Sequence, residues 1–188
     1  DANVTGWGEV DSCPLIVKAV IEAPFSHNLS TGLRDLLIGE DPNNITRLWD
    51  VMYERTLYCG REGAVIHAMA GIDLALWDIK GKALGQPVYQ LLGGAHRDSV
   101  RAYASNMFQF TPEATAERAR KAIDQGFTAV KFGWEPFGKD PATDVKYLSA
   151  IRQAIGDRND LILDVGLVWD AKTTIRRAKL FEPFSLTW

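Results

Sequence analysis

Two residues in the second half of the chain could share one chemistry. Lys131 lies in Phe127-Thr128-Ala129-Val130-Lys131-Phe132, an apolar run bounded by Gly126 and Gly133. Asp164 lies in Leu161-Ile162-Leu163-Asp164-Val165, a second such run closed by Gly166. A lysine can take or give a proton, provided burial or a nearby cation brings its pKa toward neutrality. A carboxylate is a hard oxygen ligand for a divalent cation. Each residue alone has a plainer reading: strand-end lysines are mostly solvated, and strand-end aspartates often cap helices. The two nonetheless sit at equivalent ends of two successive runs.

The segments around them predict how the two are positioned. Both runs have the length and composition of buried strands. Between them Asp140 precedes Pro141, an N-cap followed by a first helical turn. Val145, Leu148, Ile151 and Ile155 then recur at helical spacing until Gly156. Strand, helix, strand is a parallel β-α-β unit, and in such units ligands gather at the carboxyl ends of the strands. Lys131 and Asp164 would therefore face one pocket. Val100 to Ser105 predicts an earlier strand, and Thr111-Pro112-Glu113 starts a helix that stops at Gly126. Asp170 caps a further helix from about Ala171, which Pro183 breaks, and Ser185 to Trp188 starts a fourth strand. This rhythm suits a doubly wound sheet or an eight-stranded barrel. Tyr103-Ala104-Ser105-Asn106-Met107-Phe108 carries no glycine-rich fingerprint, which argues against a dinucleotide fold. The expected fold is α/β, with residues 99–188 forming about the first half of a (β/α)8 barrel. Four strands leave two open edges and a bare apolar face, so the chain is expected to be part of a longer protein.

Residues 1–98 follow a different grammar and predict part of an α+β domain. Thr5 to Val10 suits an edge strand, with Gly6 and Gly8 allowing close backbone approach. Helices are expected at Pro14 to Glu22, Ser30 to Ile38, after Asp41-Pro42-Asn43-Asn44, at Arg61 to Leu84, and briefly at Pro87 to Leu92. The longest is rich in Ala64, Ala68, Ala70, Gly71 and Ala75, so another element should pack closely on it. A net charge of −3 gives no reason to expect nucleic acid or an anionic membrane as partner. No apolar run reaches the ~18 residues of a membrane span. Cys13 and Cys59 have no motif spacing and read as reduced thiols of a cytoplasmic protein.

One stretch carries a family resemblance. Ala68-Met69-Ala70-Gly71-Ile72-Asp73-Leu74-Ala75-Leu76-Trp77-Asp78-Ile79-Lys80-Gly81-Lys82, with Pro87-Val88-Tyr89-Gln90-Leu91-Leu92-Gly93, resembles the signature of the enolase superfamily, mandelate racemase/muconate lactonizing subgroup. Trp7-Gly8-Glu9 is similar to the end of the third strand of that family's capping domain. The resemblance implies an α+β capping domain over residues 1–98, a modified barrel after it, and Mg²⁺-dependent removal of a proton α to a carboxylate. Lys131 matches the first lysine of the family's K-x-K motif, and Asp164 the first of three acidic metal ligands. The second motif lysine falls at Gly133. Lys131-Phe132-Gly133-Trp134-Glu135-Pro136 instead resembles the K-x-R-F-G-Y-G-P loop of rhamnonate dehydratase-type enzymes, shortened by two residues. In that alignment Lys131 takes the place of either the lysine or the arginine.

The resemblance therefore implies a lyase acting on a small sugar-acid substrate, with a homo-oligomer as the expected assembly. The alternatives are a racemase, epimerase or cycloisomerase of the same superfamily, or a non-catalytic subunit. It places the other metal carboxylates and a histidine–aspartate pair after Trp188, and the specificity loop before Asp1. Trp134 and Phe137 would line the pocket or cover the barrel mouth, and Glu135 would be exposed. His27, His67 and His96 have no expected catalytic part. Asp73 and Asp78 are expected to tie the long helix to its neighbours.

Overall fold

Proline, glycine and short polar residues set the helix boundaries. The computed structural model describes residues 3–188, and the chain divides into two units between Asp98 and Ser99. In the first unit α1 (Pro14–Glu22) opens on its proline. After it come α2 (Leu33–Leu37), α3 (Ile45–Arg55), α4 (Ala64–Leu84) and α5 (Val88–Leu91). Gly85 ends α4 in the left-handed region, φ 62. Two expected starts shift. Helix α4 begins at Ala64 rather than Arg61, because Gly63 holds φ 61 and ψ −130, which no helix accommodates. Helix α2 is shorter than Ser30 to Ile38. Ser30 pairs instead with His27 in an antiparallel bridge, and a Cβ on Gly32 would lie 2.8 Å from the Ala23 amide nitrogen.

The strand expected at Thr5 to Val10 is absent, and the described part of the first unit contains no strand. A strand exists through a ladder of bonds to a neighbouring strand, and this segment lies on a helix instead. A Cβ on Gly6 or Gly8 would overlap the carbonyl oxygens of Ala75 and Gly71 on α4. The small-residue stripe of α4 thus receives a backbone, as its composition predicts. Asp78 fastens the contact. Its Oδ2 accepts the Trp7 N–H and the Lys82 ammonium, both at 2.7 Å, and Lys82 Nζ also reaches the Thr5 carbonyl at 2.8 Å. These bonds, led by the Lys82 one, hold the Asp78 carboxyl below the usual carboxylate range. Asp73 behaves differently: burial pushes its carboxyl up. Val17, Leu33, Met52, Val65, Ala68 and Met69 form a core cluster of this unit.

Gly8→Ala is therefore expected to lift the segment from α4 and to destabilise the protein by about 1–3 kcal/mol, the range for overpacking. A urea melt of the intact protein checks this; an unchanged midpoint would show that the segment yields freely.

The second unit is a parallel sheet with a helix after each strand. Its elements are β1 (Ala104–Met107), α6 (Pro112–Asp124), β2 (Ala129–Gly133), α7 (Pro141–Ile155), β3 (Asp160–Asp164) and α8 (Ala171–Phe181), then a 3₁₀ turn at Glu182–Phe184. The strand order is β1-β2-β3. Leu186 bridges Leu161 in parallel, and Thr187 N–H donates to the Leu161 carbonyl at 2.8 Å, so a fourth strand begins on the far side of β3. Sequential neighbours without a reversal are the order of a barrel, not of a doubly wound sheet. The chain has the α/β architecture of a partial enolase-type barrel. Strand β1 begins four residues later than Val100, because pairing starts only at Ala104 opposite Val130. Val100 stays exposed, and Arg101 spends its guanidinium on the Thr128 carbonyl and Asp160. Val130, Phe132, Tyr147, Leu148, Ile151 and Phe181 lie in the core between sheet and helices. Among the described residues no helix is long and apolar enough to cross a membrane.

Candidate active site at the carboxyl ends of the strands

Side chains alternate across a strand. Val130 and Phe132 enter the helix-side core, so Lys131 between them faces the opposite side of the sheet. The parallel register sets Lys131 against Ile162 and Gly133 against Asp164. Asp164 is two residues beyond Ile162 and shares its face. The result is an ion pair, Lys131 Nζ to Asp164 Oδ2 at 3.2 Å, with the lysine side chain 18% exposed and the aspartate 34%. The ammonium also lies 5.8 Å from the centroid of the Tyr103 ring, within cation–π range. Asp164 Oδ1 accepts the Gly166 N–H at 3.1 Å. That bond first, then the one from Lys131, keeps the Asp164 carboxyl below the usual range against a small opposing desolvation.

Gly133 is a steric necessity here. A Cβ on it would lie 2.9 Å from the Asp164 carbonyl oxygen and 3.2 Å from the Asp164 Cβ. A second lysine at this position would press on the backbone and Cβ of the aspartate that the first one pairs with.

The loop after β2 separates the two aromatic candidates. Trp134 sits at the strand end with φ 70 and stays 55% exposed. Phe137 instead turns into the core and stacks on Phe108, centroids 4.5 Å apart and rings 12° from parallel. It is no part of a pocket. Glu135 is exposed and pairs with Lys139 at 3.0 Å, as expected of it. Gly138 is held from both sides: its N–H donates to Asp144 Oδ1 at 2.8 Å, and its carbonyl accepts the Trp169 indole N–H at 2.7 Å. Asp144 in turn faces Arg177, Oδ2 to Nη1 at 3.3 Å, both almost wholly buried. The angle makes this a charge contact rather than a hydrogen bond. Burial, the largest influence, pushes the Asp144 carboxyl up, while the Gly138 N–H and Arg177 oppose it. This buried pair escapes sequence reading: an aspartate in a first helical turn and an arginine on an amphipathic helix both read as solvated.

All three histidines belong to the first unit. His67 lies on α4, His27 packs edge-on to Tyr58, and His96 belongs to the loop after α5. Among the described residues no three His, Cys, Asp or Glu side chains gather as a metal site. Asp164 supplies one carboxylate, and Asp170, nearby in sequence, is used as the N-cap of α8.

Known proteins share this architecture. Residues 1–93 match the mandelate racemase / muconate lactonizing enzyme N-terminal domain, and residues 114–188 the enolase C-terminal domain-like family. D-Galactonate dehydratase of Pectobacterium atrosepticum is 37% identical over 192 residues, covering 98% of this chain and 47% of that protein. The 3,6-anhydro-D-galactonate cycloisomerase from Zobellia galactanivorans superposes with a TM-score of 0.86 at 33% identity, over 97% of this chain and 48% of that one. A racemase from Streptomyces coelicolor A3(2) with bound magnesium superposes with a TM-score of 0.85 at 30% identity, over 100% of this chain and 51% of that one. The chain thus spans about half the length of proteins that include a dehydratase, a cycloisomerase and a racemase. It belongs to the mandelate racemase / muconate lactonizing enzyme family of the enolase superfamily.

Proposed function

We propose that this chain supplies a proton-handling lysine, Lys131, and a metal carboxylate, Asp164, to a Mg²⁺-dependent lyase that dehydrates a sugar acid. The observation that carries the reading is the 3.2 Å approach of Lys131 Nζ to Asp164 Oδ2 at the carboxyl ends of adjacent parallel strands. Asp164 fits a hard cation in kind: it is charged, a third exposed, and its Oδ2 is engaged only by Lys131 among the described residues. It does not fit in number, since Mg²⁺ asks for octahedral oxygen coordination and keeps its waters unless several ligands replace them. The other ligands would come from outside the described residues. When bound, the cation would stabilise the negative charge that develops on the substrate carboxylate as the α proton leaves.

Lys131 is assigned the proton at the α carbon. It reaches the site from a strand, not a loop, and Tyr103 and Asp164 fix the position of its Nζ. Dehydration also removes a hydroxyl from the β carbon, which departs with a proton as water. Gly133 leaves this strand with one lysine, which supports dehydration over a two-base racemisation. The likeness to a galactonate dehydratase supports a polyhydroxylated acid as substrate. Cycloisomerisation is the second reading, favoured by the likeness to the Zobellia enzyme. The two cysteines are free thiols, which agrees with a cytoplasmic setting. A homo-oligomer is the proposed assembly.

Asp164→Asn is expected to weaken Mg²⁺ binding and turnover together, because the lost charge acts on the ion and through it on the reacting carboxylate. Calorimetric titration of Mg²⁺ into both proteins, with turnover on a panel of sugar acids, measures this. Equal Mg²⁺ affinity would remove Asp164 from the metal site.

A further inference from the structure

The chain after β3 makes a left-handed turn that its own residues do not explain. Val168 N–H donates to the Val165 carbonyl at 3.3 Å, and the two residues between, Gly166 and Leu167, hold φ 57 and φ 65. Two successive positive φ values are those of a type I′ turn, which favours Gly, Asn or Asp at both positions. Leucine is a poor residue there, and Leu167 is 99% exposed, so no packing of its side chain holds it.

The far end of the turn is anchored where Val168 packs on Gly138, and at its glycine Trp134 supplies the contact. A Cβ on Gly166 would lie 2.6 Å from Trp134 Cε3 and 2.9 Å from Cζ3, so the indole rests on the Gly166 backbone. Trp134 itself holds φ 70, a conformation rare for a bulky side chain. In it the Trp134 N–H reaches the Asp164 carbonyl at 3.2 Å. Gly166, under the ring, sends its own N–H to Asp164 Oδ1 at 3.1 Å. Asp164 is thus held by its main chain through Trp134 and by its side chain through Gly166. Burial does not account for a ring that stays 55% exposed on a strained backbone. Strain of this kind persists where surrounding contacts over-determine it, and it concentrates at functional sites.

We infer that Trp134 is a positioning residue: its indole clamps the Val165–Val168 turn so that the Gly166 N–H fixes the Asp164 carboxylate, leaving Oδ2 on the Lys131 side. The inference rests on reading Asp164 as a metal carboxylate, and its test separates the two. In the metal-free intact protein, Trp134→Ala should speed hydrogen exchange at the Gly166 amide, read by NMR, while the amides of β2 and β3 stay protected. The same variant should bind Mg²⁺ about 10–100-fold more weakly, the range for losing an outer partner of a metal ligand. Trp134→Phe should restore most of both. Gly166→Ala, which pushes on the ring from the other side, should repeat the loss. Unchanged exchange at Gly166 in Trp134→Ala overturns the clamp. Faster exchange with unchanged Mg²⁺ affinity, while Asp164→Asn does weaken Mg²⁺, overturns the positioning role. Unchanged Mg²⁺ affinity in both variants overturns the metal reading of Asp164, and leaves the faster exchange as the mark of the clamp alone.

Discussion

Replacing Lys131 with methionine is expected to lower turnover of the intact protein by at least ~10²-fold, the low end for loss of a general acid–base group. Methionine keeps an unbranched apolar stem close to lysine's, with sulfur in place of one methylene, and lacks the proton-carrying nitrogen. The stem leaves the strand on the face opposite Val130 and Phe132, away from the core, so the fold should hold and the melting temperature should stay close to that of the parent. The variant also loses the ion pair to Asp164. Mg²⁺ affinity is therefore measured alongside, so that a metal defect is not mistaken for a proton-transfer defect. Exchange of the substrate α proton with deuterated solvent should vanish together with turnover. Near-parental turnover in Lys131→Met would take the lysine out of the mechanism.

Arg177→Met carries the largest expected cost in stability, about 3–5 kcal/mol, the range for removing one partner of a buried ion pair. Asp144 is 1% exposed and Arg177 10% by side chain, so loss of the guanidinium leaves a carboxylate with the Gly138 N–H as its one hydrogen-bond donor. Arg177 also covers the Trp169 ring at 5.4 Å, and the methionine keeps part of that contact. The pH dependence has a definite sign. Burial already raises the Asp144 carboxyl in the folded state, and a raised carboxyl favours folding at low pH and opposes it as pH rises through the folded value. Without Arg177 the rise is larger. The deficit of the variant should be widest near neutrality and should narrow toward pH 5. Urea melts across that range measure it, and Asp144→Asn in the Arg177→Met background should recover part of the loss. A variant as stable as the parent at neutral pH would mean that the pair is solvated in solution.

What the sequence discloses of this molecule depends on whether a feature is local. Thr111-Pro112, Asp140-Pro141 and Asp170 predict three helix starts, and all three side chains accept the expected backbone N–H. Each is a matter of a few adjacent residues. The start of β1 is not, because it depends on where Val130 pairs. The segment at Thr5 to Val10 has strand-like residues, yet its glycines serve a helix surface, and no local pattern distinguishes the two. In the site, the two-residue alternation puts Lys131 and Asp164 on one face and makes their meeting readable. Their roles rest on the variants above. The left-handed backbone of Trp134 leaves no mark in the sequence, since nothing about tryptophan suggests positive φ. Gly166 reads there as a strand terminator; its contact with an indole is a tertiary fact.

The strand order also bears on how the second unit comes into being. Each strand pairs with its immediate successor in sequence, and successive strands start 25 and 31 residues apart, at Ala104, Ala129 and Asp160. At a synthesis rate of ~5–20 residues per second, the ribosome delivers the next partner within a few seconds. Every docking step closes a loop of similar, modest length, and closure cost grows only slowly with length. The sheet can therefore grow vectorially, each β-α pair adding to an edge already formed. Until the next strand arrives, the newest edge is the place where a chaperone or a neighbouring nascent chain would bind.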